Sequence, residues 1–402
     1  GNNKNQTLVM PEIVAPQPRT HGAADSMAPG SGESKRQRRT TISAVSFYNE
    51  YHGHPVQDLE VLLPALRPRA ITWLVGDSSL DNKHWLFDGR RDGSDSGALP
   101  LCAGYETVLK PPQAQVADVA YWINKELEQR GLSKQLACVN TAVEESTLAD
   151  RAGDRMLAHD HFVRRHIEPA DTLVVSVGGN DVALRPSVAT AVSMLMLTRS
   201  PIAMIRSGWA PGTTHFIRLF RERTMHFVRK LIAVRKPRRV VVCTVYYLDP
   251  TPGGSWADFV LSKIGYDDQP EKLQAAITAI YERAHQTIAD VDGVEVVAVP
   301  LFRVMDGTDT RDYVQRVEPS AQGGRKMAAL ITDAVLADRP EGGWPGENYQ
   351  PEFGHPRAYE LHYASLLALL ASLALLVLLG KKRRRGGVVI ATKRYYSRVS
   401  TR

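Results

Sequence analysis

The chain has 402 residues, of which 43% are hydrophobic and 23% charged. That is the composition of a folded protein and excludes a disordered or fibrous chain. Three cysteines, Cys102, Cys138 and Cys243, are too few and too scattered for a disulfide framework or a thiolate metal site. The formal charge of +7 comes from the ends: residues 1–40 hold six Lys/Arg against three Asp/Glu, and residues 380–402 hold nine against none. The body between them is mildly acidic, with 35 against 40, which speaks against a nucleic-acid groove and assigns the basic charge to membrane-surface or targeting roles of the tails.

Taken in chain order, residues 1–45 are rich in Pro, Gly, Ser and Asn without a period and read as a flexible basic arm. Residues 46–338 read as one domain. Five apolar, largely β-branched runs stand out there, at 70–75, 136–139, 172–177, 240–248 and 294–299. Continuous apolar runs of this length predict strands buried on both faces of a parallel sheet. Helical patterns fall between them. One follows Pro111 and Pro112 with Val116, Ala120, Ile123 and Leu127 inward and Gly131 as its stop; another opens at Asp268 and Pro270 and runs through Leu273, Ile277, Tyr281, Ala284 and Ile288. A last one starts near Gly323 and uses Met327, Leu330, Ile331, Ala334 and Val335. The alternation predicts an α/β fold, a three-layer sandwich around a five-stranded parallel sheet.

Between Arg199 and Arg239 eleven Lys/Arg accompany one acid, on a loop and then a helix carrying Phe216, Leu219, Phe220, Phe227 and Leu231. Two readings stand: a solvated basic face, or contact with anionic lipid into which Met194, Met196, Ile202 and Met204 dip. Residues 339–357 form a Pro/Gly linker. Tyr363 to Leu379 is free of charge and precedes Gly380 and the run Lys381 to Arg385, which predicts one transmembrane helix over 358–380 and a basic tail over 381–402. The expectation is a single-pass membrane protein with the bilayer as partner, anchored near its C-terminus in the manner of a mitochondrial or peroxisomal tail anchor.

In an open parallel sheet, binding groups gather past the carboxyl ends of the strands. The first predicted strand ends in Gly76-Asp77-Ser78-Ser79-Leu80-Asp81, the second in Asn140 through Glu145, and the third in Gly178-Gly179-Asn180-Asp181. On the first and third of these blocks, in this order, the chain resembles the GDSL or SGNH hydrolase family over about residues 70–337. The resemblance implies a flavodoxin-like fold, Ser78 as nucleophile, and an oxyanion hole made by the Asn180 amide and the Ser78 backbone N–H. As plain turns the same residues would be unremarkable, but turns do not demand this order.

The family pattern fails in two places. Its oxyanion-hole glycine falls on Glu145, whose carboxylate would oppose a developing oxyanion unless it points away. Its Asp-x-x-His-Pro block appears as Gln315 through Pro319, so that Glu318 stands where the histidine base belongs and Gln315 where its orienting Asp belongs. Burial that lifts its pKa would make Glu318 a base. An alternative base is His355, in Glu352-Phe353-Gly354-His355-Pro356, with Glu352 or Asp312 orienting the ring. His159, Asp160, His161 and His166 lack metal-ligand spacing, and the histidines read as surface residues; His84 and Trp85 read as pocket lining or as a packed pair.

Two functions follow. The first is a membrane-anchored serine hydrolase acting on carboxylic esters or related acyl groups. The second is a catalytically degenerate member of the fold, serving as a structural or binding subunit of a membrane complex. No cofactor or metal motif occurs, and no nucleic-acid partner is expected.

Overall fold

The computed structural model of the protein describes residues 40–86, 99–110 and 115–337. The segment 358–380, the basic tail and His355 lie outside the described residues. No helix among the described residues is long and apolar enough to cross a membrane.

The five apolar runs form strands β1 (Ala70–Gly76), β2 (Leu136–Asn140), β3 (Thr172–Ser176), β4 (Arg239–Thr244) and β6 (Val294–Pro300). The two-residue β5 (Asp290–Val291), which the sequence did not announce, adds an antiparallel edge. The sheet runs β2-β1-β3-β4-β6-β5, and every pair apart from β5 and β6 is parallel. Apart from the added edge, this is the flavodoxin-like order, in which the direction of winding reverses beside β1.

Alternate residues of each strand enter opposite cores, since successive side chains point to opposite faces. Trp73, Val75, Val175 and Val242 face one, and Leu74, Cys138, Val174 and Val241 the other. The first face is covered by α1 (Val56–Leu66), α3 (Ala158–His166) and the helical stretch 213–232. The second is covered by α2 (Val119–Gln129) and α8 (Ala321–Leu336), through Val119, Ile123, Leu127, Met327 and Ile331. Between them come α4 (Gly179–Ala183), α5 (Val188–Arg199), α6 (Ile202–Arg206) and α7 (Pro270–Ile280).

Several sequence expectations are corrected. The run 240–248 leaves the sheet at Thr244, because Tyr247 N–H then bonds the Met305 carbonyl at 3.1 Å and the Tyr246 hydroxyl the Val317 carbonyl at 2.7 Å. Helix α2 begins after Val116, at the residue that the Asp118 side chain caps by accepting from Tyr121 N–H at 2.7 Å. Ile42, inside the stretch read as a flexible arm, is fully buried and pairs in a short parallel bridge with Leu109. Phe216, Leu219, Phe220, Phe227 and Leu231 are buried while Arg218, Arg223 and Arg229 are exposed, so this segment packs its apolar side on the sheet and keeps the solvated basic face that one sequence reading gave it.

Gly76 closes β1 where β3 approaches so nearly that a Cβ would lie 1.9 Å from the Ser176 carbonyl oxygen. A backbone atom cannot yield as a side chain can. Gly76→Ala is therefore expected to destabilise the domain by about 3 kcal/mol, read as a lowered thermal midpoint.

Candidate active site

Ser78 lies in the turn after β1. The N–H groups of Leu80 and Asp81 both bond the Asp77 carbonyl at 3.0 Å, and Asp77 Oδ1 accepts from Ser79 N–H at 3.1 Å and Ser79 Oγ at 2.7 Å. The next residues tie this turn to other segments. Asp81 Oδ2 accepts from Gly53 N–H and Glu144 N–H, each at 3.0 Å, and its Oδ1 accepts from the fully buried Lys83 ammonium at 2.6 Å. Asn82 donates to the Pro319 carbonyl at 3.0 Å and accepts from Val119 N–H at 3.2 Å.

The segment after β2 supplies the second wall. Glu145, at the position of the family's glycine, has φ +59°, the left-handed conformation that glycine favours. Two contacts hold it there: Arg185 Nη2 donates to its carbonyl at 2.5 Å, and its Oε1 accepts from the Tyr51 hydroxyl at 3.0 Å. Ser146 Oγ bonds the Gly76 carbonyl at 2.9 Å and in turn accepts from Arg151 at 2.9 Å. Arg151 is buried with its partner Asp160 at 3.0 Å, so Asp160 is part of an internal ion pair and not a surface acid.

At the end of β3, Asn180 stands in the first turn of α4 and donates one amide hydrogen to the Ser146 carbonyl at 3.2 Å. Asp181 fixes that turn by accepting from Leu148 N–H at 2.6 Å and Ala149 N–H at 3.1 Å. Among the described residues no hydrogen bond engages the backbone N–H of Ser78 or of Glu145. Three donors therefore remain at the ends of β1, β2 and β3: these two N–H groups and the second amide hydrogen of Asn180.

Glu318 arrives on the antiparallel pair β7 (Tyr313–Val314) and β8 (Glu318–Pro319). The reversal between them passes through Gln315 and Arg316, at φ 51° and 66°. Arg316 anchors it by donating to the Asp249 and Pro250 carbonyls at 3.0 Å and to Asp258 and Asp267 at 2.8 Å. Gln315 points outward, accepting from Trp256 N–H at 3.3 Å, and so does not take the place of the family's orienting Asp. Asp312 is engaged by Gln322 at 2.7 Å and Lys326 at 2.6 Å on α8.

The Glu318 carboxyl is buried, and Ser78 is near enough to favour its ionised form. Burial raises its pKa far above the ordinary glutamate value, to about 8; the Ser78 hydroxyl opposes the rise, and the charges of Asp77, Asp81 and Glu145 add to it. A second carboxyl shares this environment. Glu144 accepts from Trp85 Nε1 at 3.2 Å, and its pKa is raised further by burial and by the nearby charges of Glu318 and Asp81. Each of the two carboxyls keeps one buried oxygen, Oε2, without a hydrogen-bond partner among the described residues.

Sequence reasoning placed Ser78, Asn180 and Glu318, and the structure brings Ser78 and Glu318 together. It missed Tyr51 and the role of Glu144, and it offered Trp85 only as pocket lining or part of a packed pair. Glu144 was legible only as a second acid at the end of a predicted strand. Of the other histidines, His159 is held by the His54 carbonyl at 2.7 Å and His166 lies 3.3 Å from Glu60, while His161 is exposed. No cluster able to hold a metal occurs among the described residues. His84 is exposed and meets the Tyr51 and Trp85 rings edge-on, at 4.5 and 5.3 Å.

Strand order and the two turn blocks at the carboxyl ends of β1 and β3 define a GDSL/SGNH-like α/β domain. Solved structures similar to it include a lipase/acylhydrolase from Enterococcus faecalis, at 15% identity and TM-score 0.34, covering 66% of this chain and 95% of that one. An extracellular lipase from Streptomyces rimosus matches at 12% identity and TM-score 0.36, over 67% of this chain and 100% of that one. A carbohydrate esterase family 3 protein from Talaromyces cellulolyticus matches at 12% identity and TM-score 0.34, over 66% and 96%. No family model and no curated protein matches the chain.

Proposed function

We propose that the domain is a serine hydrolase of carboxylic esters or related acyl groups in which a carboxylate replaces histidine as the base. The observation that carries this reading is the buried Glu318 carboxyl in the environment of Ser78, its pKa moved upward by burial and lowered in part by the serine. Ionised Glu318 accepts the Ser78 proton as Oγ bonds the acyl carbon. The carbonyl oxygen takes the negative charge and faces the free N–H groups of Ser78 and Glu145 and the Asn180 amide. Collapse expels the alkoxide, which receives the proton back from Glu318 and leaves as the alcohol. Water then repeats the sequence on the acyl-serine, Glu318 again taking and returning the proton, to release the acid.

Glu144 cannot ionise alongside Glu318 without placing two like charges in one buried site, so it stays neutral when Glu318 is charged. The Glu145 carboxylate is turned toward the Tyr51 hydroxyl, which accounts for one of its oxygens, while its charge still reaches Glu318. The apolar segment 363–379 with its basic flank supports attachment of this hydrolase to a membrane.

Treating the full chain with a fluorophosphonate probe tests the reading. Covalent labelling is expected in the parent and in His355→Ala, and none in Ser78→Ala. A parent chain that is folded and unlabelled overturns it in favour of a binding or structural role, and loss of labelling in His355→Ala transfers the base to His355.

A further inference from the structure

The forty residues from Val182 to Arg221 contain five arginines and not one Asp or Glu. This stretch starts directly after the turn that carries Asn180, yet most of it has no part in the site. On α5 the exposed positions recur at helical spacing as Val188, Ala191, Leu195 and Arg199, an apolar stripe that ends in a cation. Helix α6 and the turn after it continue the pattern with Met204, Arg206 and Trp209 exposed. Val188 is 81% exposed, Trp209 50%, Leu195 45% and Met204 40%, whereas the large apolar side chains of the domain interior are covered. No hydrogen bond or ion pair engages Arg199 or Arg206 among the described residues.

We propose that this α5–α6 face is a docking surface for a bilayer that carries anionic headgroups. An exposed apolar helix face whose own segment carries arginines and no acid, with a tryptophan at its edge, matches the interfacial zone of such a membrane: the side chains enter the acyl boundary and the guanidinium groups meet the phosphates. The charge pattern selects the occupant. A second copy of the chain docked through the same face would set Arg199 and Arg206 against their equivalents, and the like charges would repel, while the Glu282 carboxylate near the α6 turn is already paired with Arg283 at 3.4 Å. The surface lies on the methionine segment that the sequence offered to lipid, with Met204 exposed, and not on the stretch 213–232, whose aromatics are buried and whose Arg229 is paired with Asp292 at 3.2 Å. The inference concerns how the domain meets its surroundings and does not depend on the chemistry proposed for Ser78.

The test is quenching of tryptophan fluorescence in the full chain by brominated lipid, in vesicles of phosphatidylcholine with phosphatidylserine. Quenching localises contact to a residue, so adhesion through the apolar segment 363–379 does not mimic it. Strong quenching is expected in the parent, with most of it lost in Trp209→Phe. Arg199→Gln with Arg206→Gln, both on the surface and compatible with the fold, is expected to weaken the quenched, Trp209-dependent association about thirtyfold. Quenching that survives intact in Trp209→Phe overturns the proposal, as does equal quenching in vesicles of phosphatidylcholine alone. So does a parent chain that is unquenched, including one that self-associates or binds an acidic protein through this face.

Discussion

Glu318→Gln is expected to lower the turnover of a simple acyl ester by about 10²–10⁴-fold while leaving the fold intact, since glutamine matches glutamate in shape and the site is already built for a neutral group. The parent's pH profile carries the same information. A base must be ionised to act, and burial holds the Glu318 carboxyl in its protonated form far to the alkaline side of an ordinary glutamate. The rate is therefore expected to climb with pH through that displaced range, and not to level off near pH 5 as a solvated glutamate base would dictate. Steady-state rates of parent and variant between pH 5 and 9 decide the matter. A profile already flat at pH 6, or a variant as fast as the parent, removes Glu318 from the reaction.

Glu144→Gln is expected to stabilise the domain at pH 8 by several degrees in thermal midpoint. In the unfolded chain Glu144 loses its proton near the ordinary glutamate pKa of about 4.3. In the folded domain burial and the charges of Glu318 and Asp81 hold the proton on to much higher pH. Folding must then take up a proton at any pH between those two values, and stability falls as pH rises across the window. Glutamine has no proton to take up. The advantage of the variant is accordingly expected to vanish toward pH 4, where both states of the parent are protonated. Equal midpoints at pH 8, measured by calorimetry on parent and variant, would mean that Glu144 is ionised in the folded domain.

The strands were legible because a sheet buried on both faces needs apolar residues at nearly every position, and runs such as Val240 to Cys243 contain nothing else. Ser78 and Asn180 were legible because their turns need glycine and polar residues in a fixed order at strand ends. What lay beyond the sequence was decided by partners far along the chain. The outward turn of Gln315 follows from the four acceptors gathered around Arg316, and the left-handed Glu145 from Arg185 and Tyr51. Glu144 and Glu318 are two glutamates among the chain's 43 acidic residues until burial sets them apart. The end of β4 was misjudged because Val245 to Leu248 is as apolar as a strand, yet its backbone is claimed by the loop after β6.

The bond from Asn82 to the Pro319 carbonyl joins residues 237 positions apart. It carries a consequence for the order of events at the ribosome. The serine, its turn and all three oxyanion donors emerge with the first half of the chain, whereas Glu318 and the helix behind it emerge among the last segments of the domain. Until they dock, Ser78 faces water with no base beside it. On the proposed hydrolase reading, a partly synthesised or truncated chain holds a nucleophile that is chemically idle, and acyl cleavage begins only when the domain is complete.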